Sequence, residues 1–282
     1  MKIIVLLLLL PFTSFCQNTI GFPEVINYSR QSYLGGLQNW DIKQDKNGIL
    51  YVANNEGLLS FDGKHWSLYP LPNRTIVRSI EIGSDGHIYV GGQDELGYFS
   101  PGKNGNLSYH SLTRLISKAD RSFGDVWDIV VLNKDVFFRS TGKIFQYSRQ
   151  SIVGYKAFSE WSYMGLCNGT LYAHDFSTGL LRYANNLWQP VLATNPLPVN
   201  DPVTAILPGR QGTTLIATMK NGLYILTDKS LNKHPSPNNQ LFAEDRIYAA
   251  TGIDEDWLAL ATNTNGIYII NQSGDIIQQF SK

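Results

Sequence analysis

Cysteine is nearly absent from this sequence, which limits how the protein can be stabilised. The 282 residues include two cysteines, Cys16 and Cys167. Cys16 lies in an apolar leader that we expect to be removed, so Cys167 would have no partner for an intrachain disulfide. The fold must then depend on a buried core. With 43% hydrophobic and 12% aromatic residues, the chain has the material for one.

An excess of charge of either sign is also missing. The chain has 23 basic and 23 acidic residues. Removing the leader with Lys2 leaves 22 basic residues against 23 acidic ones, and no basic run or stripe occurs. This pattern argues against a nucleic-acid partner and against a polybasic contact with a membrane surface.

The sequence lacks every common signature of a metal site, a phosphate loop or a nucleophile elbow. The 5 histidines are scattered with no metal-ligand spacing, at His65, His87, His110, His174 and His234. Among them only His174, beside Asp175, forms a noteworthy pair, and a structural role is favoured for it. The acidic pairs and triplet lie in predicted turns, where carboxylates are solvated, at Asp94-Glu95, Glu244-Asp245 and Asp254-Glu255-Asp256. We therefore predict no catalytic residue, no metal and no cofactor.

Long apolar runs are confined to the amino terminus. Lys2 precedes the run from Ile3 to Leu10, and Pro11 follows it. The run is far shorter than the roughly 20 residues that a membrane span needs. Ser14 and Cys16 suit the −3 and −1 positions of a cleavage site, so residues 1–16 are predicted to be a signal peptide. The alternative is a lipoprotein that retains Cys16 as its lipidated first residue.

Sustained helical periodicity is missing after residue 20, although Leu112–Lys118 is compatible with one or two turns. The chain instead contains six similar segments, which begin near residues 38, 75, 125, 161, 202 and 246. Their spacing of 36 to 50 residues includes the period of about 40–45 that is typical of propeller blades.

Each segment contains four short runs of alternating apolar residues separated by turns rich in Asn, Asp and Gly. In the first segment, Lys46-Asn47-Gly48 separates the run at Trp40 and Ile42 from the run at Ile49 to Val52. Such patterns predict antiparallel hairpins. We predict an all-β fold, a β-propeller of four-stranded blades, over residues 38–282. Six blades are present, and a complete ring would have six or seven. A solenoid or a two-sheet sandwich fits the four-strand period less well.

Residues 17–37 precede the first repeat and form a separate segment in this scheme. Within it, Val25–Tyr33 resembles one more strand. We predict that this strand pairs with the last blade, because such closure would remove exposed sheet edges.

The repeats resemble the two-component-regulator propeller repeat. The resemblance is carried by Asp45-Lys46-Asn47-Gly48 with Leu50-Tyr51-Val52, by Ser84-Asp85-Gly86 with Ile88-Tyr89-Val90, by Lys220–Tyr224 and by Asn265–Tyr268. The stretch YLGGLQNWDIKQDKNGILYVANNEGLLSFDG is similar to the start of periplasmic sensor regions in Bacteroidetes-type regulators with a triple-tyrosine motif. The third and fourth repeats depart from the pattern, with Asn133-Lys134-Asp135 and Cys167-Asn168-Gly169 in place of Asp-x-x-Gly.

The resemblance implies a sensor that is exported to the periplasm or cell envelope and that signals through a downstream membrane or output domain. The chain is then either the sensor part of a longer regulator or a free-standing propeller that passes its signal to a partner.

The candidate site lies where the first strands of the blades begin. Aromatic and basic residues there are predicted to ring the channel mouth, namely Trp40, Arg78, Trp127, Trp161, Arg246 and Tyr248. The rings would stack on a sugar and the arginines would bind a carboxylate, so the predicted ligand is an unknown small molecule or oligosaccharide. The alternative is that these rings only wedge neighbouring blades together.

Three functions stay open on the sequence alone, because a fold does not select a function. Non-catalytic ligand sensing is favoured. A propeller enzyme, such as a lyase or a glycan hydrolase, would need carboxylates or histidines that converge in the channel. A scaffold for a protein partner would need a large exposed apolar patch on one face.

Overall fold

In the computed structural model, which describes residues 26–102, 106–194 and 197–281, the strands form six antiparallel sheets of four strands each. The strands of each sheet are consecutive in sequence, and the sheets are arranged in a ring as the blades of a propeller. The predicted all-β propeller with six four-stranded blades is confirmed. The predicted signal peptide, residues 1–16, lies outside the described residues.

The first three blades cover the amino-terminal half of the ring. Their strands are β1 (Asn39–Gln44), β2 (Leu50–Asn54), β3 (Gly57–Phe61), β4 (Trp66–Tyr69), β5 (Val77–Ile82), β6 (Ile88–Gly92), β7 (Leu96–Pro101), β8 (Leu107–Ser111), β9 (Val126–Leu132), β10 (Asp135–Ser140), β11 (Lys143–Ser148) and β12 (Ser151–Lys156). Each first strand begins within two residues of the predicted start of its repeat, because the apolar alternation locates strands well.

The last three blades have the same plan. Their strands are β13 (Trp161–Cys167), β14 (Thr170–Asp175), β15 (Gly179–Ala184), β16 (Leu187–Pro190), β17 (Val203–Pro208), β18 (Thr214–Thr218), β19 (Gly222–Leu226), β20 (Leu231–Lys233), β21 (Ile247–Gly252), β22 (Trp257–Thr262), β23 (Ile267–Asn271) and β24 (Ile276–Phe280). Here too the first strands begin at or next to the predicted repeat starts.

Aspartates close the first hairpins of blades 1 and 2. The Asp45 carboxylate accepts hydrogen bonds from the backbone N–H groups of Asn47 and Ile49, at 2.8 and 2.9 Å. Gly48 follows with a φ of 85°, which glycine adopts without steric cost. Asp85 closes the equivalent turn in blade 2, where its carboxylate accepts a hydrogen bond from the His87 N–H at 3.0 Å. The Asp-x-x-Gly turn of the repeat therefore has a direct physical role.

The core consists of apolar layers between consecutive blades. Five clusters of buried side chains join blade 1 to blade 2 and so on to blade 6. Between blades 3 and 4, for example, Val130 and Phe137 pack against Trp161 and Met164. Since a buried large side chain contributes about 1.5–3 kcal/mol, these layers are the main source of stability.

Short helices connect some of the blades. A four-residue helix, α1 (Arg30–Tyr33), precedes blade 1, and α2 (Asn239–Asp245) joins blades 5 and 6. A 3₁₀ turn at Thr113–Leu115 lies within Leu112–Lys118, where the sequence is compatible with one or two turns, and a second 3₁₀ turn follows at Lys118–Asp120. Among the described residues, no helix has the length and apolar character needed to cross a membrane.

The segment before blade 1 differs from its predicted role as a blade-closing strand. Val25 lies outside the described residues, and residues 26–33 contain no strand. Tyr28 and Tyr33 instead pack against Trp66 of blade 1, with ring centroids 5.5 and 5.8 Å away. The physical reason is that blade 6 already has its own fourth strand, β24, whereas the far face of blade 1 needs an apolar cover.

Within the described chain, no core cluster joins blade 6 to blade 1. The side chains on the far face of blade 6 are partly exposed, including Trp257 at 44%, Ile267 at 41% and Phe280 at 52%. The alternating residues Leu258, Leu260 and Tyr268 are buried against blade 5. Five blade interfaces thus hold the described ring together, and the amino-terminal segment covers the far face of blade 1.

The cover on blade 1 gives a stability prediction. Tyr33 is 9% exposed, clusters with Val52 and Leu59, and donates a hydrogen bond from its hydroxyl to the Gly36 carbonyl at 3.2 Å. Tyr33→Ala should lower the free energy of unfolding by about 2–4 kcal/mol, because it opens a cavity over this face. Urea denaturation measures the loss. Tyr33→Phe removes only the hydroxyl and should cost about 1 kcal/mol; equal losses in both variants would contradict a packing role for the ring.

Candidate functional site

The first strand of every blade contains a β-bulge at its second residue. In β1 the pairing register shifts between Asn39 and Asp41, so Trp40 has no partner on β2. The same shift occurs in β5, β9, β13, β17 and β21. A bulge re-aims the unpaired side chain. All six bulge residues line one cavity of about 520 Å³ at one end of the central channel, the mouth cavity: Trp40, Arg78, Trp127, Ser162, Thr204 and Tyr248.

The structure brings four of the six sequence-predicted site residues together in this cavity, namely Trp40, Arg78, Trp127 and Tyr248. Trp161 borders the cavity, but its side chain is only 2% exposed and packs between blades 3 and 4. It therefore has the wedging role that was the alternative for all the rings. Arg246 precedes β21, is exposed and does not line the mouth cavity, in contrast to its predicted place.

The differences at Trp161 and Arg246 are errors of register. When the first strands are aligned on their bulges, Trp161 matches Val77, Val126 and Val203, which are buried between blades. The bulge residues of blades 4 and 5 are Ser162 and Thr204, which sequence reasoning missed. Residue type alone favours aromatic rings and arginines as site residues. Alignment of the repeats by position identifies Ser162 and Thr204 as well.

Arg78 lies between two tryptophans at the mouth. Its guanidinium carbon is 3.9 Å from the ring centroid of Trp40 and 4.9 Å from that of Trp127. Arg78 also forms a 3.1 Å ion pair with Asp125, and the Trp40 indole donates to the Asn55 carboxamide oxygen at 2.7 Å. These contacts fix the cluster in place, as expected for cation–π pairs. Trp127 remains 39% exposed and presents a ring surface to the cavity.

The residue after each bulge often bonds to the next blade. The Asp41 carboxylate accepts from the Ile80 N–H of blade 2 at 3.0 Å, and the Ser79 hydroxyl donates to the Val126 carbonyl of blade 3 at 2.8 Å. In blades 3 and 4 this position holds Asp128 and Tyr163, which accept backbone N–H groups of the following blade at 2.7 and 3.3 Å. These bonds fix the bulges relative to one another, so the mouth cavity is preorganised.

Arg139 lies in the wall of the mouth cavity and is 5% exposed. Its Nε donates to the Asp128 carboxylate, and its Nη1 donates to the Trp161 carbonyl at 2.8 Å. Its Nη2 makes no hydrogen bond with a described residue. A nearly buried cation therefore retains a free donor in the wall of the cavity.

A buried histidine supports Ser162 from behind. The Ser162 hydroxyl and His174 Nδ1 share a hydrogen bond of 2.6 Å, and His174 is 1% exposed. Burial lowers the pKa of His174 to about 4, although Asp175 and Asp201 act in the opposite direction. The imidazole is therefore neutral at neutral pH. Burial opposes ionisation of Asp175, but hydrogen bonds from Ser159, Ser177 and Thr178 outweigh it and lower its pKa to about 2.

The channel continues from the mouth into a deeper cavity of about 770 Å³ lined by the first strands of blades 1 to 4. Burial raises the pKa of Asp41 there. Burial also disfavours the charged form of Lys43, but the carboxylates of Glu81 and Asp41 outweigh it and raise its pKa. Lys43 and Glu81 form an ion pair of 3.0 Å.

Three carboxylates along the channel are engaged by the protein itself. Asp41 accepts two backbone N–H groups, Glu81 pairs with Lys43, and Asp128 binds Arg139 and the Met164 N–H. Across residues 26–102, 106–194 and 197–281, no group of three or more His, Cys, Asp or Glu side chains is placed to hold a metal ion. What the site offers is aromatic surface, hydroxyl groups and guanidinium donors without a hydrogen-bond partner among the described residues, on Arg139 and on Arg78, whose Nε and Nη1 are buried.

Comparisons with known proteins show the fold of this chain. It is similar to virginiamycin B lyase from Staphylococcus aureus, with a TM-score of 0.67, 17% identity, and coverage of 90% of this chain and 86% of the lyase. It is also similar to the extracellular domain of a putative hybrid two-component system from B. thetaiotaomicron, with a TM-score of 0.66 and 17% identity over 86% of this chain. The match spans 33% of that protein's chain.

A third similar structure is PorZ, described as an essential bacterial surface component of the type-IX secretion system of Porphyromonas gingivalis. Its TM-score is 0.59 and its identity 14%, over 84% of this chain and 38% of PorZ. No protein-family model matches the sequence, and no curated protein matches it. These identities establish the propeller fold alone.

Proposed function

We propose that this protein is a non-catalytic ligand-binding propeller of the bacterial envelope whose site is the mouth cavity. The observation that carries the proposal is the convergence of six equivalent bulge residues, one from each blade, on a single cavity. Bulges interrupt strand pairing, so a bulge that recurs in every blade and aims at one cavity indicates selection for the cavity.

The chemistry of the mouth suits a small molecule or an oligosaccharide. Trp127 and Tyr248 are 39% and 57% exposed and present ring surfaces that stack on the apolar faces of sugars. Ser162 and Thr204 supply hydroxyl groups beside them. The charge of Arg78 is paired with that of Asp125, and Arg246 lies outside the cavity, so these two arginines lend no support to the carboxylate recognition predicted for them.

A binding role is supported over catalysis by the state of the ionisable groups. Asp41, Glu81 and Asp128 are held by backbone N–H groups or by cations, and His174 is buried and neutral. Among the described residues that line the mouth, Glu160 is the one carboxylate without such a partner. A glycosidase needs two carboxylates that are free to act on a sugar. The likeness to virginiamycin B lyase concerns the fold, which does not by itself bring the chemistry of that enzyme.

A role in sensing is supported by the sequence resemblance and by one similar structure. The repeats resemble those of periplasmic sensor regions, and the extracellular domain of a putative two-component system shares the fold. The amino-terminal leader is consistent with export to the periplasm or cell envelope. In this proposal the propeller binds a ligand outside the cytoplasm and passes the signal to a membrane or output domain.

The proposal is tested by calorimetric titration of the protein with a panel of neutral and acidic oligosaccharides. Trp127→Ala should weaken binding about five- to thirtyfold, because loss of a stacking ring costs about 1–2 kcal/mol. Trp257→Ala is a matched control, since Trp257 is similarly exposed at 44% but lies outside the mouth cavity. Arg246→Ala should also leave binding unchanged. Equal effects of the two tryptophan substitutions would remove the mouth as the site.

A further inference from the structure

Arg139 distinguishes the mouth cavity from a simple aromatic platform, because it provides a nearly buried hydrogen-bond donor. Resting on the function proposed above, we propose that Arg139 recognises an uncharged carbonyl oxygen of the ligand and that the ligand is an N-acetylated amino sugar or a short oligomer of such sugars. The sequence predicts no role for Arg139, which lies on the second strand of its blade, β10.

The first step of the inference is the free donor. Arg139 is held from two sides, by the Asp128 carboxylate and by the Trp161 carbonyl, so its guanidinium has a fixed plane. The remaining Nη2 has no hydrogen-bond partner among the described residues, and Arg139 lines the mouth cavity. A donor in a nearly buried site gains more from an acceptor than one in water, because the local dielectric is low. The site is therefore prepared for an oxygen atom of the ligand.

The second step is the charge balance, which decides what kind of oxygen fits. The charged residues that line the mouth cavity are Arg78, Arg139, Asp128 and Glu160. Both arginines are already paired with aspartates, Arg78 with Asp125 and Arg139 with Asp128. Glu160 forms no ion pair with a described residue and is exposed. A carboxylate, phosphate or sulfate would meet no uncompensated positive charge here and would face Glu160, so a neutral acceptor is favoured over an anion.

The third step is the surface around the donor. Trp127, Phe176 and Tyr248 line the same cavity, and Ser162 and Thr204 contribute hydroxyl groups to it. An acetamido group combines a carbonyl oxygen with a methyl group, which suits a cavity lined by both a hydrogen-bond donor and aromatic rings. The sugar ring that carries it has one face for stacking and several hydroxyl groups for hydrogen bonds. A sugar without the acetamido group would leave the Arg139 donor unpaired, and burying an unpaired donor is unfavourable.

The experiment compares ligands that differ at this group. Calorimetric titration is carried out with the trimers of N-acetylglucosamine, glucose and galacturonic acid, which present an acetamido group, a hydroxyl group or a carboxylate. We expect the N-acetylated trimer to bind at least tenfold more tightly than the glucose trimer, because a hydrogen bond from a charged donor gives about this discrimination. The galacturonic acid trimer should bind most weakly.

A protein variant then assigns the discrimination to Arg139. Arg139→Lys retains a cation beside Asp128 but has a shorter reach and no planar group, so the ratio between the N-acetylated and glucose trimers should fall to below threefold. Arg182→Lys, an exposed site in blade 4, is the control and should preserve the ratio. If the lysine variant fails to fold, the ligand ratio of the unmodified protein still decides the matter.

Three results would overturn the inference while leaving the proposed function intact. These are equal binding of the N-acetylated and glucose trimers, tightest binding of the galacturonic acid trimer, and a ratio unchanged by Arg139→Lys. Binding of none of the three trimers, and of no other oligosaccharide in the wider panel, would instead contradict saccharide binding at the mouth, and the present inference with it.

Discussion

Asp128→Ala is expected to lower the free energy of unfolding by about 3–5 kcal/mol, because it leaves the nearly buried Arg139 without its counterion. The side chains of Arg139 and Asp128 are 7% and 23% exposed, so water does little to screen the pair. The substitution also removes the acceptor of the Met164 N–H, which is the bond between blades 3 and 4 at the inner strands. Both losses affect the same blade interface, and urea denaturation at pH 7 measures their sum.

Two controls separate the ion pair from the general loss of a carboxylate. Asp228→Ala removes an exposed aspartate that forms no ion pair and should change stability by less than about 0.5 kcal/mol. Asp128→Asn retains an acceptor for Met164 but no charge, and should fall between the two. If Asp128→Ala lowers the free energy of unfolding no more than Asp228→Ala does, Arg139 does not need a counterion for stability.

The blade architecture could be read from the sequence because it depends on local patterns. Alternating apolar residues locate the strands, and turns such as Asp45–Gly48 end them through side-chain hydrogen bonds to the backbone. These signals lie within a few residues of the feature they specify, and they recur in each blade. Repetition adds to their weight, since an ambiguous turn in one blade is clear in another.

Packing between segments that are distant in sequence cannot be predicted from local patterns in the same way. Val25–Tyr33 has the composition of a strand, but whether such a segment pairs with blade 6 or covers blade 1 depends on which surface lacks a partner. The structure shows that Tyr28 and Tyr33 cover the apolar face formed by Val52, Leu59 and Trp66. Helix α2 was missed for a similar reason, because Phe242 is buried by the contact with blades 5 and 6 and not by a helical repeat pattern.

At the mouth cavity, the position of a residue in the repeat predicts its place in the site better than its residue type does. The sequence predicts Trp161 to be an exposed aromatic of the site. It lies one residue before the bulge, however, and packs in the interface between blades 3 and 4. Ser162, directly after it, occupies the equivalent position to Trp127 and Tyr248. A register shift of one residue reverses the face on which a strand residue lies. The place of Arg139 in the cavity wall cannot be predicted from the sequence, because it depends on its contacts with Asp128 and Trp161 in the folded protein.

The protein is expected to lose stability between pH 6.5 and pH 4, and His174 is expected to be the main cause. Its pKa is lowered to about 4 in the folded state, from 6.5 when unfolded, because burial disfavours the imidazolium. Above pH 6.5 both states are neutral and the full stability is present. As the pH falls below 6.5 the unfolded state binds a proton first, so stability decreases until the folded state is also protonated near pH 4. The shift corresponds to about 3 kcal/mol in total, of which about 2 kcal/mol should be lost between pH 7 and pH 5.

The test compares urea denaturation at pH 7 and pH 5 in the unmodified protein and in His174→Asn, which keeps a polar atom near Ser162 but does not titrate. The variant should be less stable than the unmodified protein at pH 7. Its free energy of unfolding should then change little between pH 7 and pH 5. His234 stays in both proteins, and its pKa is also lowered by burial, so a small residual loss is expected. Asp175 does not interfere, since its pKa is lowered to about 2 and its contribution is lost only below pH 4. An equal loss in both proteins would assign the acid sensitivity to other groups. Because Ser162 shares its hydrogen bond with His174, which stays neutral in the folded protein until the pH nears 4, oligosaccharide binding at the mouth should weaken only as the pH falls through about 4.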